Sequence, residues 1–218
     1  MNEYFSARRD EIDAFLGELA TRTGAPKPLD APLRRSLASA GKRVRGLLTI
    51  AVGEALGAKA GKLVPAAAAI EMIHTSSLIL DDLPAMDDAM LRRGQPTLHR
   101  EFGEDLAILS AVALLNHAYA LVARAHAELS PRRWPMPQVM QRVFDAVGWD
   151  GTIAGEAVDL HPSASLDFDA LEFIHSRKTG ALFVAAAVVG GMLANGHPAP
   201  LQRVEIFAKN LGLAFQIT

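Results

Sequence analysis

HTSSLILDDLPAMDDAMLRRG, residues 74–94, is the stretch that decides how this chain is read. It closes an alanine-rich apolar run of helical spacing that begins near Lys62. Pro84 disfavours helical geometry at Leu83, so the predicted helix, Lys62 to Asp82, stops just after the first two aspartates. Four carboxylates, Asp81, Asp82, Asp87 and Asp88, then fall within eight residues at a helix C-terminus. Negative charge there opposes the helix dipole. Carboxylates this dense also raise one another's pKa unless a cation offsets them. A solvated, charged helix end is the plain alternative. A hard divalent cation with oxygen ligands, Mg2+ above all, answers the charge better. Mg2+ combines one or two carboxylates with waters and phosphate oxygens, so a phosphorylated ligand is implied. Arg92 and Arg93 follow at once, and their planar forks suit the oxygens of a diphosphate. Ion pairing with the aspartates is the other use for them, and both uses can alternate between empty and loaded states.

Working outward, Gly41-Lys42-Arg43-Val44-Arg45 is a second basic cluster, with Lys42 and Arg45 three apart and on one helix face. His74 stands seven residues before Asp81, about two turns, and so shares its side of the helix. Lys178 and Thr179 lie near the start of a later helix and add a cation and a hydroxyl, where helix N–H groups also favour anions.

Helical spacing covers most of the remaining chain. Helices are predicted over Asn2 to Arg22, Leu33 to Ala40, Val44 to Leu56, Asp105 to Leu129, Gln138 to Leu160, Asp167 to Ala194 and Leu201 to Ile217. Thr23 to Pro32 and Ser130 to Pro137 carry three prolines each and read as connectors. Ala85 to Glu104 is polar and partly loop. Strand-like alternation is missing, which predicts a single all-α domain over residues 1–218. Of the 218 residues, 50% are hydrophobic and 21% charged, a globular composition. Lys plus Arg is 22 against 24 Asp plus Glu, and this balance gives no reason to expect nucleic acid. With no cysteine, thiolate metal sites, disulfides and cysteine nucleophiles are excluded. The longest fully apolar stretch, Gly180 to Ala194, falls short of the ~20 residues of a membrane span. The charged N-terminus has no apolar h-region, and a cytoplasmic protein without a membrane span is expected.

Together these clusters resemble the motifs of trans-isoprenyl diphosphate synthases. Residues 74–99 resemble the first aspartate-rich region, residues 41–45 the N-terminal basic motif, and Lys178-Thr179-Gly180 and Gly212 to Gln216 the downstream motifs, all in the family's order. Within the family the aspartate region looks most like that of bacterial geranylgeranyl diphosphate synthases. The resemblance implies a helical bundle of the isoprenoid synthase type with a central cavity between antiparallel helices. It implies a homodimer and an Mg-dependent prenyltransferase, with Mn2+ as the alternative metal. An allylic diphosphate (farnesyl, geranyl or dimethylallyl) would bind through metal held by Asp81 and Asp87, with Asp82 close by, and through Arg92. Lys42, Arg45, His74 and Arg93 would hold isopentenyl diphosphate. Lys178, Thr179 and Gln216 would lie against the allylic substrate or its cation. Ser76 and Ser77, about one turn upstream of the aspartates, would line the path of the prenyl tail. A serine at 76, where farnesyl-producing relatives carry an aromatic ring, implies a C20 product. A farnesyl diphosphate synthase, a terpene cyclase and a non-catalytic partner subunit are the alternatives. The family places a second aspartate-rich motif directly after Gln216, so a truncation before that motif is expected. Gly46 stands where proline is usual and Glu156 where glutamine is usual.

Overall fold

The computed structural model describes residues 3–161 and 168–217, with the side chains of Phe168, Gln216 and Ile217 outside that description. The expected site residue Gln216 therefore has its side chain outside the described residues, as does the expected helix start at Asp167.

The centre is α4 (Ala60–Asp81). Its alanine run leaves no side chain to hold neighbours away: Ala66 to Ile70 are fully buried on every face of the helix. Four helices close around it: α1 (Glu3–Thr21), α3 (Val44–Ala55), α6 (Glu104–Leu129) and α10 (Ala181–Leu193). Burial of this apolar surface is the main favourable term of the fold. By length and composition alone α4 and α6 could each cross a membrane; in the fold, 67% of α4's most apolar window and 39% of α6's is buried.

Several boundaries differ from expectation, each for a local reason. The proline-rich connector is in large part helix: α2 runs Lys27–Leu37, with Pro26 at its N-cap and Pro28 in the first turn. Proline costs no intrahelical bond there and its fixed φ suits the turn. Similarly α7 (Met136–Val147) begins inside the second predicted connector, with Pro135 as N-cap. The single helix expected from Gln138 to Leu160 is two, α7 and α8 (Thr152–Leu160), parted by Gly148–Gly151. The helix expected after Asp167 is continuous but not regular. It comprises α9 (Phe168–Ile174), a π-helical segment (His175–Gly180) and then α10.

Between α4 and α6, where a polar and partly loop segment is expected, lie the short α5 (Leu98–Phe102) and a two-stranded hairpin, β1 (Leu91–Arg92) and β2 (Gln95–Pro96). Arg92 pairs with Gln95, and the two turn residues both have positive φ, Arg93 at 54° and Gly94 at 76°. That is the type I′ turn, for which a glycine in the second place is the strong signal. The last helix, α11 (Pro198–Ile217), packs on α10 and on the π-segment.

Candidate active site

The C-terminus of α4 does not simply fray after Asp81. The chain folds back: the Asp87 N–H donates to the Asp81 carbonyl at 2.9 Å, Asp88 N–H to Leu83 at 3.1 Å and Ala89 N–H to Asp82 at 3.2 Å. Residues six apart in sequence thus come side by side, and the Asp87 carboxylate adds to the field on Asp81. Burial pushes the Asp81 carboxyl up to about 6; Glu156 and then Asp87 push the same way, against Lys178 and Arg92. Asp82 is placed differently. It is buried, and its Oδ1 accepts from Arg92 Nε at 2.9 Å and from Arg92 Nη2.

Facing Asp81 is α8. Glu156 and Asp159, one turn apart on it, both grip Lys178: Nζ donates to Asp159 Oδ2 at 2.6 Å and lies 2.8 Å from Glu156 Oε2. Burial would lower the Lys178 pKa, but these two carboxylates outweigh it and raise the group above the usual lysine range. Lys178 and the buried Thr179 sit in the π-segment, a form of helix that is often found at functional sites. The crossing of α8 on this segment is very close. A Cβ on Gly155 would lie 2.2 Å from the Lys178 amide nitrogen, and one on Gly212 of α11 would lie 3.0 Å from Gly180 Cα.

Glu156 and Asp159 were not among the site residues expected from the sequence. The signal for Glu156 was its place where the family usually has glutamine. Its Oε1 is buried without a hydrogen-bond partner. That orphaned acceptor, beside a carboxylate whose pKa is raised by burial and then by its acidic neighbours, is a donor set with an unmet need for positive charge. A hard divalent cation fits such a set, with Asp81 and Asp87 as its carboxylates and substrate or water oxygens completing the shell. Among the described residues no three Asp, Glu or His side chains converge tightly enough to enclose an ion by themselves.

The second lobe lies further up α4. A cavity of about 540 Å³ is lined by Lys42, Arg45, His74 and Arg93, the four residues expected to hold one diphosphate, together with Arg9 and Arg43. Burial pushes the Arg45 guanidinium down to about 10, Arg93 adds to the shift and Glu71 opposes it. Its Cζ lies 4.5 Å from the centre of the Phe183 ring, and its Nε is buried without a partner. Burial, then Arg45, Arg93, Arg92 and Arg43, push His74 down to about 3, so its imidazole is neutral at pH 7 and offers a hydrogen bond, not a charge. Arg43 has other duties: Nε donates to Asp13 Oδ1 at 2.7 Å and Nη2 to the Ser39 carbonyl at 2.6 Å.

The hairpin reaches both lobes. Arg92, on β1, turns to Asp82; Arg93, in the turn, donates to the Ala40 carbonyl and lines the basic cavity. Of the two serines, Ser76 is buried with Oγ donating to the Ala111 carbonyl of α6 at 2.9 Å, while Ser77 donates to the His74 carbonyl at 2.9 Å.

An acidic lobe and a basic cavity on one helix, in this order of motifs, can be compared with known proteins. The family model described as polyprenyl synthetase matches residues 26–218.

The chain belongs to the polyprenyl synthetase family.

Geranylgeranyl pyrophosphate synthase 11 of Arabidopsis thaliana, a chloroplastic protein, is 42% identical over 98% of this chain and 60% of its own length. A farnesyl diphosphate synthase of Geobacillus stearothermophilus is 36% identical over all of this chain and 73% of its own length. Among solved structures, an FPP/GFPP synthase from Zymomonas mobilis superposes with a TM-score of 0.89 at 30% identity, covering all of this chain and 80% of that one. The all-α fold expected from the sequence is therefore that of a polyprenyl synthetase. The chain spans about three fifths of the length of the Arabidopsis relative.

Proposed function

We propose that this polyprenyl synthetase condenses isopentenyl diphosphate with an allylic diphosphate to give a longer trans-prenyl diphosphate, of C20 length, as a homodimeric enzyme of the cytoplasm. The observation that carries the reading is the pair of lobes, acidic and basic, with Arg92 bonded to Asp82 beside the first and Arg93 lining the second. Two diphosphates of like charge need separate cages, one built on metal and one built on side-chain cations alone.

In this reading Asp81 and Asp87 hold Mg2+, or Mn2+, with Asp82 behind them orienting Arg92. The metal, when bound, supplies charge that stabilises the departing diphosphate. Arg92 and Lys178 add fixed positive charge at the same oxygens. The allylic carbon–oxygen bond breaks with its electron pair leaving on the diphosphate. Lys42, Arg45 and Arg93, with the neutral His74 as hydrogen-bond donor, hold isopentenyl diphosphate so that its double bond faces the allylic cation. Those π electrons form the new carbon–carbon bond, and a proton then passes to the released diphosphate as a double bond is restored. Thr179 lines the allylic side, where the resemblance also expects Gln216, and apolar helices keep water from the cation. Ser76 and Ser77 leave the tail path open to C20. Pairing of two copies is supported by the exposed row Ile108, Leu109 and Val112 on α6.

The test is a product assay. The chain is incubated with Mg2+, isopentenyl diphosphate and farnesyl diphosphate, and product length is read by chromatography. A C20 diphosphate that vanishes in Asp81→Ala supports the reading. A product made equally well by Asp81→Ala, or no binding of either substrate to the intact chain, overturns it.

A further inference from the structure

The basic cavity contains one acid. Glu71 lines it beside Arg9, Lys42, Arg43, Arg45 and Arg93. It is 4% exposed and is the only Asp, Glu, Lys or Arg between Lys62 and Asp81 in the sequence. Charge counting alone makes Glu71 a liability for a pocket that takes a diphosphate. Its contacts point elsewhere.

Glu71 Oε1 accepts the Gly46 N–H at 2.7 Å. Gly46 is the third residue of α3, so this N–H is one of the first-turn donors that the helix itself cannot satisfy. The N-cap residue, Arg43, offers no side-chain cap. The cap that a local Ser or Asp normally supplies comes instead from a carboxylate on α4. A proline at 46, usual in the sequences this region resembles, has no N–H to give. Glu71 Oε2 lies 3.9 Å from Arg43 Nη1, so the same side chain touches both ends of the segment that carries Arg45. Arg45 is placed on that first turn, its guanidinium on Phe183 and its Nε without a partner.

We propose that Glu71 is the positioning residue of the diphosphate cavity: by capping the first turn of α3 through the Gly46 N–H, it fixes where Arg45 presents its guanidinium. This rests on the reading of the cavity as a diphosphate site. Glu71 acts through Arg45 and does not touch the ligand.

Two substitutions that remove the same charge separate positioning from electrostatics. Glu71→Gln keeps an acceptor for Gly46; Glu71→Met has similar length and none. Binding of inorganic diphosphate to the whole chain is measured by calorimetry at about pH 8, where an ordinary carboxylate is ionised. Positioning predicts that Gln retains or tightens the wild-type affinity, while Met binds about tenfold more weakly than Gln, the scale of a lost cap. Equal affinities in the two variants overturn the proposal. If Glu71→Met does not fold, Glu71→Asp keeps the charge and withdraws the acceptor by one methylene. It is expected to lose about tenfold as well, and an unchanged affinity there overturns the proposal. Arg45→Met is the control for the reading beneath it. Absence of diphosphate binding by the wild type, or binding indifferent to Arg45→Met, overturns the diphosphate reading and the proposal with it.

Discussion

Gly155→Ala tests the packing on which the acidic lobe depends. The added methyl would lie 2.2 Å from the Lys178 amide nitrogen, 2.7 Å from its Cα and 2.9 Å from the Arg177 carbonyl carbon, where ordinary contact begins at 3.4 Å. Relief requires α8 and the π-segment to part by about 1 Å, and all three obstructing atoms are backbone, which cannot swing aside as a side chain can. Overpacking of this kind costs about 1–3 kcal/mol. For a domain of this size that corresponds to a loss of about 2–12 °C in Tm. The displacement also reaches the chemistry, because Glu156 and Asp159 ride on α8 with Gly155 while Lys178 rides on the segment being pushed away. Their 2.8 Å and 2.6 Å contacts lengthen together. Thermal unfolding followed by circular dichroism gives the stability change, and calorimetry with an allylic diphosphate gives the change at the site. Gly17→Ala on α1 is the control, since a Cβ there meets nothing within 4 Å. It removes only the flexibility of a mid-helix glycine and is expected to gain about 0.5–1 kcal/mol. A Gly155→Ala protein as stable as wild type would refute the close crossing and the argument built on it.

His74, pushed down to about 3, binds fewer protons folded than unfolded across the interval from about 3 to the ordinary 6.5. Stability therefore falls as pH drops through that window, by up to about 1.4 kcal/mol per pH unit, and NMR should find the ring neutral at pH ~5; a midpoint near 6.5 would contradict the burial described. Glu156→Gln should lower the Asp81 pKa, because Glu156 is the largest charge raising it, and should weaken Mn2+ binding read by electron paramagnetic resonance about three- to tenfold. Metal affinity equal to wild type would remove Glu156 from the metal's surroundings. Ser76→Phe should shorten the prenyl product and, because Ser76 sits against the α6 backbone at Ala111, should also cost about 1–3 kcal/mol in overpacking. An unchanged product distribution would show that the tail does not pass this residue.

The sequence made the long helices and their chemistry legible for a plain reason. The α4 alanine run and the residues at its end are local patterns, and a seven-residue spacing places His74 and Asp81 on one side without any tertiary information. What stayed hidden depends on contacts between distant segments. Nothing near Pro26, Pro28 and Pro32 says whether they break a helix or start one; the answer lies in where the first turn begins. The hairpin at Arg92 to Gln95 is too short to show alternation, though Arg93-Gly94 was its turn signal. Lys178 was recognisable, but not that Glu156 and Asp159 hold it, since those partners are 22 and 19 residues away on another helix. Glu71 could have been noticed as a lone charge in an apolar run. Its partner, the Gly46 N–H, carries no sequence signature at all.

Arg92 and Arg93 show how little backbone is needed to send two neighbouring side chains to different partners. Neighbouring residues in an extended strand point to opposite faces, and a hairpin turn adds a further rotation. Here Arg92 occupies the strand and reaches Asp82, while Arg93 takes the first positive-φ place of the I′ turn and reaches Ala40. Arginine is an unfavourable residue at φ 54°, so the turn costs something that the flanking contacts must offset. Asp82 supplies one offset, anchoring the strand through two hydrogen bonds to Arg92, and the Thr97 hydroxyl supplies another by donating to the Ala89 carbonyl at 2.8 Å. Asp82 thus fixes the hairpin from which the two arginines reach different partners. Its burial follows from that task, since a carboxylate whose work is to hold a guanidinium gains from a low-dielectric surrounding that strengthens the pair. Asp81, at the end of the helix, is only half-buried, and Asp87, in the turn beyond it, is exposed. Adjacent aspartates, 81 and 82, also part company, here through the rotation of about 100° that a helix end sets between neighbours.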